Sequence, residues 1–156
     1  MIRVEAGRYH QAANIWIVNA DGSGVAPLTK LTAKSASSGA FAWAPNAAKI
    51  TFVSSRALDG SDTANTSDGT NVWIMNADGS GAAALTRYTN VFIFACTWSP
   101  DGTIAFTSDG AFDGTDSANA SGAMNLWVIN ADGSAAVPLS RLTAPGVNTA
   151  DPQWQP

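Results

Sequence analysis

Asn71-Val72-Trp73-Ile74-Met75-Asn76-Ala77-Asp78-Gly79-Ser80-Gly81 is the stretch that decides the fold, because it occurs three times. It is preceded by Asn14-Ile15-Trp16-Ile17-Val18-Asn19-Ala20-Asp21-Gly22-Ser23-Gly24 and followed by Asn125-Leu126-Trp127-Val128-Ile129-Asn130-Ala131-Asp132-Gly133-Ser134-Ala135, at offsets of 57 and 54 residues. A second tryptophan series, Trp43, Trp98 and Trp154, keeps the same beat at 55 and 56, each with proline two residues on (Pro45, Pro100, Pro156). All six tryptophans are therefore repeat positions, and each is expected to serve the core.

Each unit reads as four short strands. Strand one carries Trp43 or Trp98 and closes in Ala44-Pro45-Asn46 or Ser99-Pro100-Asp101-Gly102, both turn sequences. Strand two is Lys49 to Ser54, matched by Thr103 to Ser108, where Ile and Phe alternate with Thr or Ala. Strand three is the tryptophan stretch itself. Ala-Asp-Gly-Ser then makes a tight hairpin, since glycine tolerates positive φ. Strand four is expected over Val25 to Leu31, Ala82 to Tyr88 and Ala136 to Leu142.

Four antiparallel strands per repeat of roughly 40–50 residues describe an all-β protein made of β-propeller blades. The Trp-Ser-Pro-Asp-Gly at 98–102, the three Asn-Ala-Asp-Gly-Ser turns and the Leu-Thr at 28–29 and 85–86 (Leu139-Ser140 in the third unit) resemble the TolB-type WD40-like (PD40) repeat. That resemblance covers nearly the whole chain and implies six-bladed propellers. It departs at Ala44-Pro45-Asn46 and at Trp154-Gln155-Pro156. TolB also carries an α/β domain with no counterpart in this sequence, so the resemblance implies the propeller and not TolB's role in the cell envelope. A periplasmic or extracellular location is likewise implied by the resemblance alone.

Composition agrees with this reading. The chain has 156 residues, enough for one domain with a substantial core. Hydrophobic residues make up 46% and charged residues 13%, which excludes a disordered chain. A net charge of −4 lacks the basic footprint of a nucleic-acid binder, so no nucleic acid is expected. The longest apolar run, Val91 to Cys96, is too short to span a bilayer. Arg3 and Glu5 interrupt the N-terminus, so no signal peptide is visible.

Laid on the blades, the sequence forms a single half-propeller domain over 1–156. Residues 1–32 supply strands two to four of blade one, with Ile2 to Arg8 aligned on Ile50 to Arg56. Residues 33–89 form blade two and 90–143 blade three. Residues 144–156 supply a strand one. The total is three blades' worth of strands, offset by one, whereas propellers close with about four to eight blades. The expectation is a homodimer, in which Val147 to Trp154 completes the partner's first blade and closes a six-bladed ring. The alternative is a piece of a longer propeller.

Catalytic material is sparse. His10 is the only histidine, which leaves almost nothing for a zinc site or a Ser-His-Asp triad. Cys96, the single cysteine, lies in an apolar strand and reads as a small hydrophobe. Asp21, Asp78, Asp132 and Asp101 belong to turns. The loops between strands two and three are more suggestive. Residues 57–70 and 111–124 are fourteen long, agree at seven positions and share Asp-Gly-x-Asp-x-Ala-Asn, while the first unit has only the short Tyr9 to Ala13.

Candidate ligand-binding residues on this rim are Tyr9, His10, Asp59, Asp62, Asn65, Asp113, Asp116 and Asn119. Asp59, Asp62, Asp113 and Asp116 could offer oxygens to Ca²⁺, which takes six to eight. The competing reading, and the one expected to hold, is that these Asp and Asn side chains cap their own loop backbone. No cofactor or metal is expected. The leading function is a non-enzymatic binding or scaffolding module, more naturally than an enzyme. The alternatives are a propeller that gates a hydrolase domain, as in chains resembling prolyl oligopeptidases, or a designed or reconstructed repeat protein without a natural ligand.

Overall fold

The computed structural model describes residues 2–5, 12–65 and 69–154. Among these the chain is all-β, with no helix and hence none long and apolar enough to cross a membrane. Eleven strands form three antiparallel sheets. Blade one holds β1 (Ile2–Glu5), β2 (Asn14–Ile17) and β3 (Ala26–Pro27) in the order β1-β2-β3. Blade two holds β4 (Ser38–Trp43), β5 (Lys49–Ser54), β6 (Asn71–Asn76) and β7 (Ala83–Ala84) in chain order. Blade three repeats this with β8 (Ile93–Trp98), β9 (Thr103–Ser108), β10 (Asn125–Asn130) and β11 (Val137–Pro138).

The central hairpins form as the alternation predicts, with unbroken six-pair ladders from Lys49↔Asn76 to Ser54↔Asn71 and from Thr103↔Asn130 to Ser108↔Asn125. In blade one the register sets Ile2 opposite Ile17. Ile74, the equivalent of Ile17, faces Thr51, so Ile2 corresponds to Thr51 rather than to Ile50, one residue from the alignment drawn on sequence.

The fourth strands are far shorter than expected, two residues each instead of seven. A side-chain cap replaces the rest of the ladder. Asn71 Oδ1 accepts from the Thr86 hydroxyl (2.8 Å) and from Tyr88 N–H (2.7 Å), while Thr86 Oγ1 accepts Val72 N–H (3.0 Å). Asn14 with Thr29 and Leu31, and Asn125 with Ser140 and Leu142, repeat the arrangement. The Leu-Thr of the first two repeats and the Leu-Ser of the third thus supply the hydroxyl that takes over from backbone pairing. The hairpin turns repeat as closely: Asp21, Asp78 and Asp132 each accept the N–H of the serine two residues on. Gly79 needs its hydrogen twice over, since its φ is +85° and a Cβ would stand 2.8 Å from Leu28 O of the preceding blade.

Two apolar layers hold the blades together. Ile15 and Leu28 of blade one meet Ile50, Phe52, Trp73 and Met75 of blade two. Val53 and Val72 of blade two meet Ile93, Cys96, Ile104, Phe106, Trp127 and Ile129 of blade three. Each blade therefore has a front face that carries its strand-three tryptophan and a back face that receives the next. Trp73 and Trp127 are buried and stack on Phe52 and Phe106 at centroid distances of 6.4 and 6.3 Å.

The core assignment of all six tryptophans needs correction. Trp16 is only half-buried, and it joins neither apolar layer among the described residues. Trp43 and Trp154 are 37% and 39% exposed. Trp98, with β4 beside its strand, packs against the second layer. Residues 147–154 are irregular in the single chain. Their start is docked, with Thr149 N–H donating to Met124 O (2.9 Å) just as Ser38 N–H donates to Ala13 O (2.9 Å) at the head of β4.

Candidate functional site: the loop rim

The long loops are built from Asx turns. Asp59 Oδ1 accepts Ser61 N–H (2.8 Å), and Asp113 Oδ1 accepts the N–H (3.0 Å) and the hydroxyl (2.7 Å) of Thr115. Gly60 and Gly114 adopt positive φ in these turns. Asn119 ties its loop at both ends, donating to Asp109 O and Ala123 O (2.8 Å each) and accepting from Ser121 and Ala123 N–H. Asn65 donates to Gly69 O (3.1 Å) and to Tyr88 O (2.6 Å).

Asp62 and Asp116 do something else. Each reaches back to the linker that brings the chain in from the preceding blade. Thr32 N–H donates to both Asp62 oxygens (2.7 and 2.8 Å), its hydroxyl donates to Oδ2, and Ala33 N–H adds a longer bond of 3.3 Å. Asp116 receives Thr89 N–H (2.7 Å), the Thr89 hydroxyl (2.5 Å) and Asn90 N–H (3.0 Å). Two consecutive amides and one threonine hydroxyl thus converge on one carboxylate, twice in the chain.

The electrostatics follow the bonds. The Thr32 hydroxyl and amide hold Asp62 below the ordinary carboxylate value. Desolvation opposes this at Asp116, but the Thr89 hydroxyl and the Asn90 and Thr89 amides still bring it down. Asp59 and Asp113 are lowered by Ser61 and Thr115. Asp109 goes the other way, raised by burial although Phe92 N–H donates to it (2.8 Å). Burial pushes the Cys96 thiol up to about 12, so it packs as a neutral group.

The sequence brought Asp59, Asp62 and Asn65 into one loop and Asp113, Asp116 and Asn119 into the next, and in the structure the four aspartates and Asn119 accept bonds from backbone amides while Asn65 donates to backbone carbonyls. Among the described residues no three His, Cys, Asp or Glu side chains gather in a group that could hold a metal. Tyr9 and His10 lie outside the described residues. Sequence reasoning missed Thr32 and Thr89, the partners of the two clamping aspartates. The signal was available, since Leu31-Thr32, Tyr88-Thr89 and Leu142-Thr143 recur at the blade period. It also missed an open cleft of about 410 Å³ beside the blade-three loop, lined by Phe112, Asp113, Asn119, Ser121 and Thr143 among others.

Solved structures resemble this arrangement. A protein described as a TolB of Agrobacterium tumefaciens superposes with a TM-score of 0.59 at 17% identity, over 84% of this chain and 39% of that one. In fold, the chain is a stretch of TolB-type β-propeller. An oligogalacturonate lyase in complex with manganese (TM-score 0.55, 12% identity, 86% of this chain and 32% of that one) shows the same architecture. So does a puromycin hydrolase (0.54, 20% identity, 86% of this chain and 20% of that one). The chain therefore spans about two-fifths of the TolB structure and less of the two enzymes. No family model matches the chain, and no curated protein does.

Proposed function

We propose that this chain is a non-enzymatic scaffolding and binding module, half of a propeller that closes its ring with a second copy of itself. The observation that carries the reading is the pair of open faces. Inside the chain, a back face built on Val72 and Ile74 (0% and 8% exposed) receives a front face built on a tryptophan. At one end, Trp16 is half-buried and offers a front face on which no blade packs among the described residues. At the other, Leu126 and Val128, the equivalents of Val72 and Ile74, are only half-buried and offer a back face on which no blade packs among the described residues.

Two copies related by a two-fold axis bring each front face onto a back face at both junctions, which yields six blades. In this ring residues 147–154, docked at Thr149, run on as the inner strand of the partner's blade one; the Thr149 bond supports the reading. Closure removes the exposed apolar faces and unpaired edges that invite aggregation. The binding role falls to the rim where the long loops and linkers meet, since loops held on a rigid scaffold are the usual place for ligands.

The test is a charge in the front face. Sedimentation of Trp16→Glu should give a folded monomer where the parent chain gives a dimer. A variant that sediments like the parent would remove the front face from the interface and overturn the proposal.

A further inference from the structure

Two of the three linkers bind a carboxylate, and the third repeats their donor set with no acceptor among the described residues. Leu142-Thr143-Ala144 repeats Leu31-Thr32-Ala33 residue for residue. The flanks are fixed alike. Leu142 N–H donates to Asn125 Oδ1 and Leu31 N–H to Asn14 Oδ1, both at 2.7 Å. Three residues past each Ala-containing start the same turn closes, Val147 N–H to Ala144 O (3.2 Å) and Ala36 N–H to Ala33 O (3.0 Å). Both linkers then dock on the blade they leave, through Thr149 and Ser38. Thr143 is held between these anchors and is exposed, as is Ala144. Among the described residues neither amide has a hydrogen-bond partner, nor does the Thr143 hydroxyl.

We infer that the Thr143 amide, the Thr143 hydroxyl and the Ala144 amide form an open receptor for an aspartate carboxylate carried on a loop of a partner polypeptide. The donor set is the one that binds Asp62 through Thr32 and Ala33, and Asp116 through Thr89 and Asn90, so its chemistry is demonstrated twice in the same molecule. Bonds to an ionised acceptor are about twice as strong as neutral ones, which selects carboxylate over amide.

The surroundings suit a loop rather than a bare ion. The cleft of about 410 Å³ opens beside Thr143, with the Phe112 ring and the polar Asn119 and Ser121 in its wall. The Arg141 guanidinium lies 5.2 Å from the Phe112 centroid and adds positive charge. Asp113 also lines the cleft, but it places no bar on an acidic guest: its equivalent Asp59 stands in the blade whose linker already holds Asp116.

In the proposed two-copy ring, the blade that follows Thr143 is the partner's first. Its loop between strands is short, and residues 6–13 contain no acidic residue. That loop therefore brings no carboxylate of its own to the receptor in either half of the ring. This point rests on the ring, whereas the donor geometry does not.

The experiment uses the full, ¹⁵N-labelled chain and a synthetic peptide with the sequence of residues 111–119, Ala-Phe-Asp-Gly-Thr-Asp-Ser-Ala-Asn. Saturable shifts at the Thr143 and Ala144 amides are expected. Replacing the second aspartate of the peptide by asparagine should weaken binding about tenfold or more, and so should Thr143→Val in the chain. Absence of shifts at these two amides, or equal binding of the asparagine peptide, would overturn the receptor. Equal shifts from acetate at the same concentration would overturn the loop as its guest. The mass of the same sample reports the ring separately: a monomer that still binds the peptide would refute the ring and keep the receptor.

Discussion

Trp73 and Trp16 occupy the same position of the same repeated strand, yet one is 1% exposed and the other is half-buried. Phe52 stacks on Trp73 from its own blade, the Arg56 guanidinium lies 5.0 Å from its ring centroid, and Ile15 and Leu28 of blade one join it in a single apolar layer. Trp16 has the same strand but joins no such layer among the described residues. The difference shows that a blade is only half of its own core, and that burial here is a property of the junction between blades. It also explains why the open ends of the chain are apolar: they have the composition of a junction interior.

The comparison can be broken most directly at the tryptophans. Trp73→Ala should cost about 3–5 kcal/mol, the usual penalty for emptying a large buried aromatic site, and denaturant unfolding would measure it. Trp16→Ala should instead appear mainly as loss of the dimer. If the two substitutions behave alike in a monomeric chain, the distinction between filled and open junctions fails.

A smaller effect is expected at the clamps. Removing the Asp116 carboxylate with Asp116→Asn should lower the melting temperature by a few degrees, and Thr89→Val should add little on top of it, because the two changes break the same bonds. The pH dependence has a definite sign. Asp62 and Asp116 titrate below the ordinary carboxylate value of 3.8 in the folded chain, so their contribution is complete above that value. It is lost as pH falls through the folded pKa. Melting temperatures of the parent and Asp116→Asn should therefore converge as the solution is acidified, and a gap that widens toward low pH would contradict the clamp.

The third hairpin offers a finer probe. Gly24 and Gly81 adopt a φ of +65° after their turns, whereas the third repeat puts Ala135 there at +55°. Ala135→Gly should relieve the strain of a left-handed alanine and stabilise the chain by up to about 1 kcal/mol, offset in part by the freedom glycine gains when unfolded. The smallest effect expected is none: millimolar Ca²⁺ should leave the melting temperature unchanged, because the loop carboxylates already serve backbone and hydroxyl donors. A rise would restore the cation reading of Asp59, Asp62, Asp113 and Asp116.

How far the sequence could be read follows from these particulars. The central hairpins were legible because six consecutive residues on each side pair without interruption, an alternating strand two against the repeated tryptophan stretch. The fourth strands were overdrawn because Asn71 and Thr86 replace a ladder with side-chain bonds, and a β-rich segment looks the same either way. The loop turns at Asp59 and Asp113 were legible because an Asx turn is local. Asp62 was not, since its partner Thr32 lies thirty residues earlier and only the fold brings them together. The exposure of Trp16 and Trp43 was illegible for a related reason: periodicity locates a residue within a blade and is silent about whether the next blade is present.

Whether the open faces meet across two copies is read from the molar mass in solution. Light scattering at micromolar concentration should return twice the chain's 16.0 kDa, and Trp16→Glu should return it once. A parent chain that stays at 16.0 kDa, folded and soluble, would contradict the account.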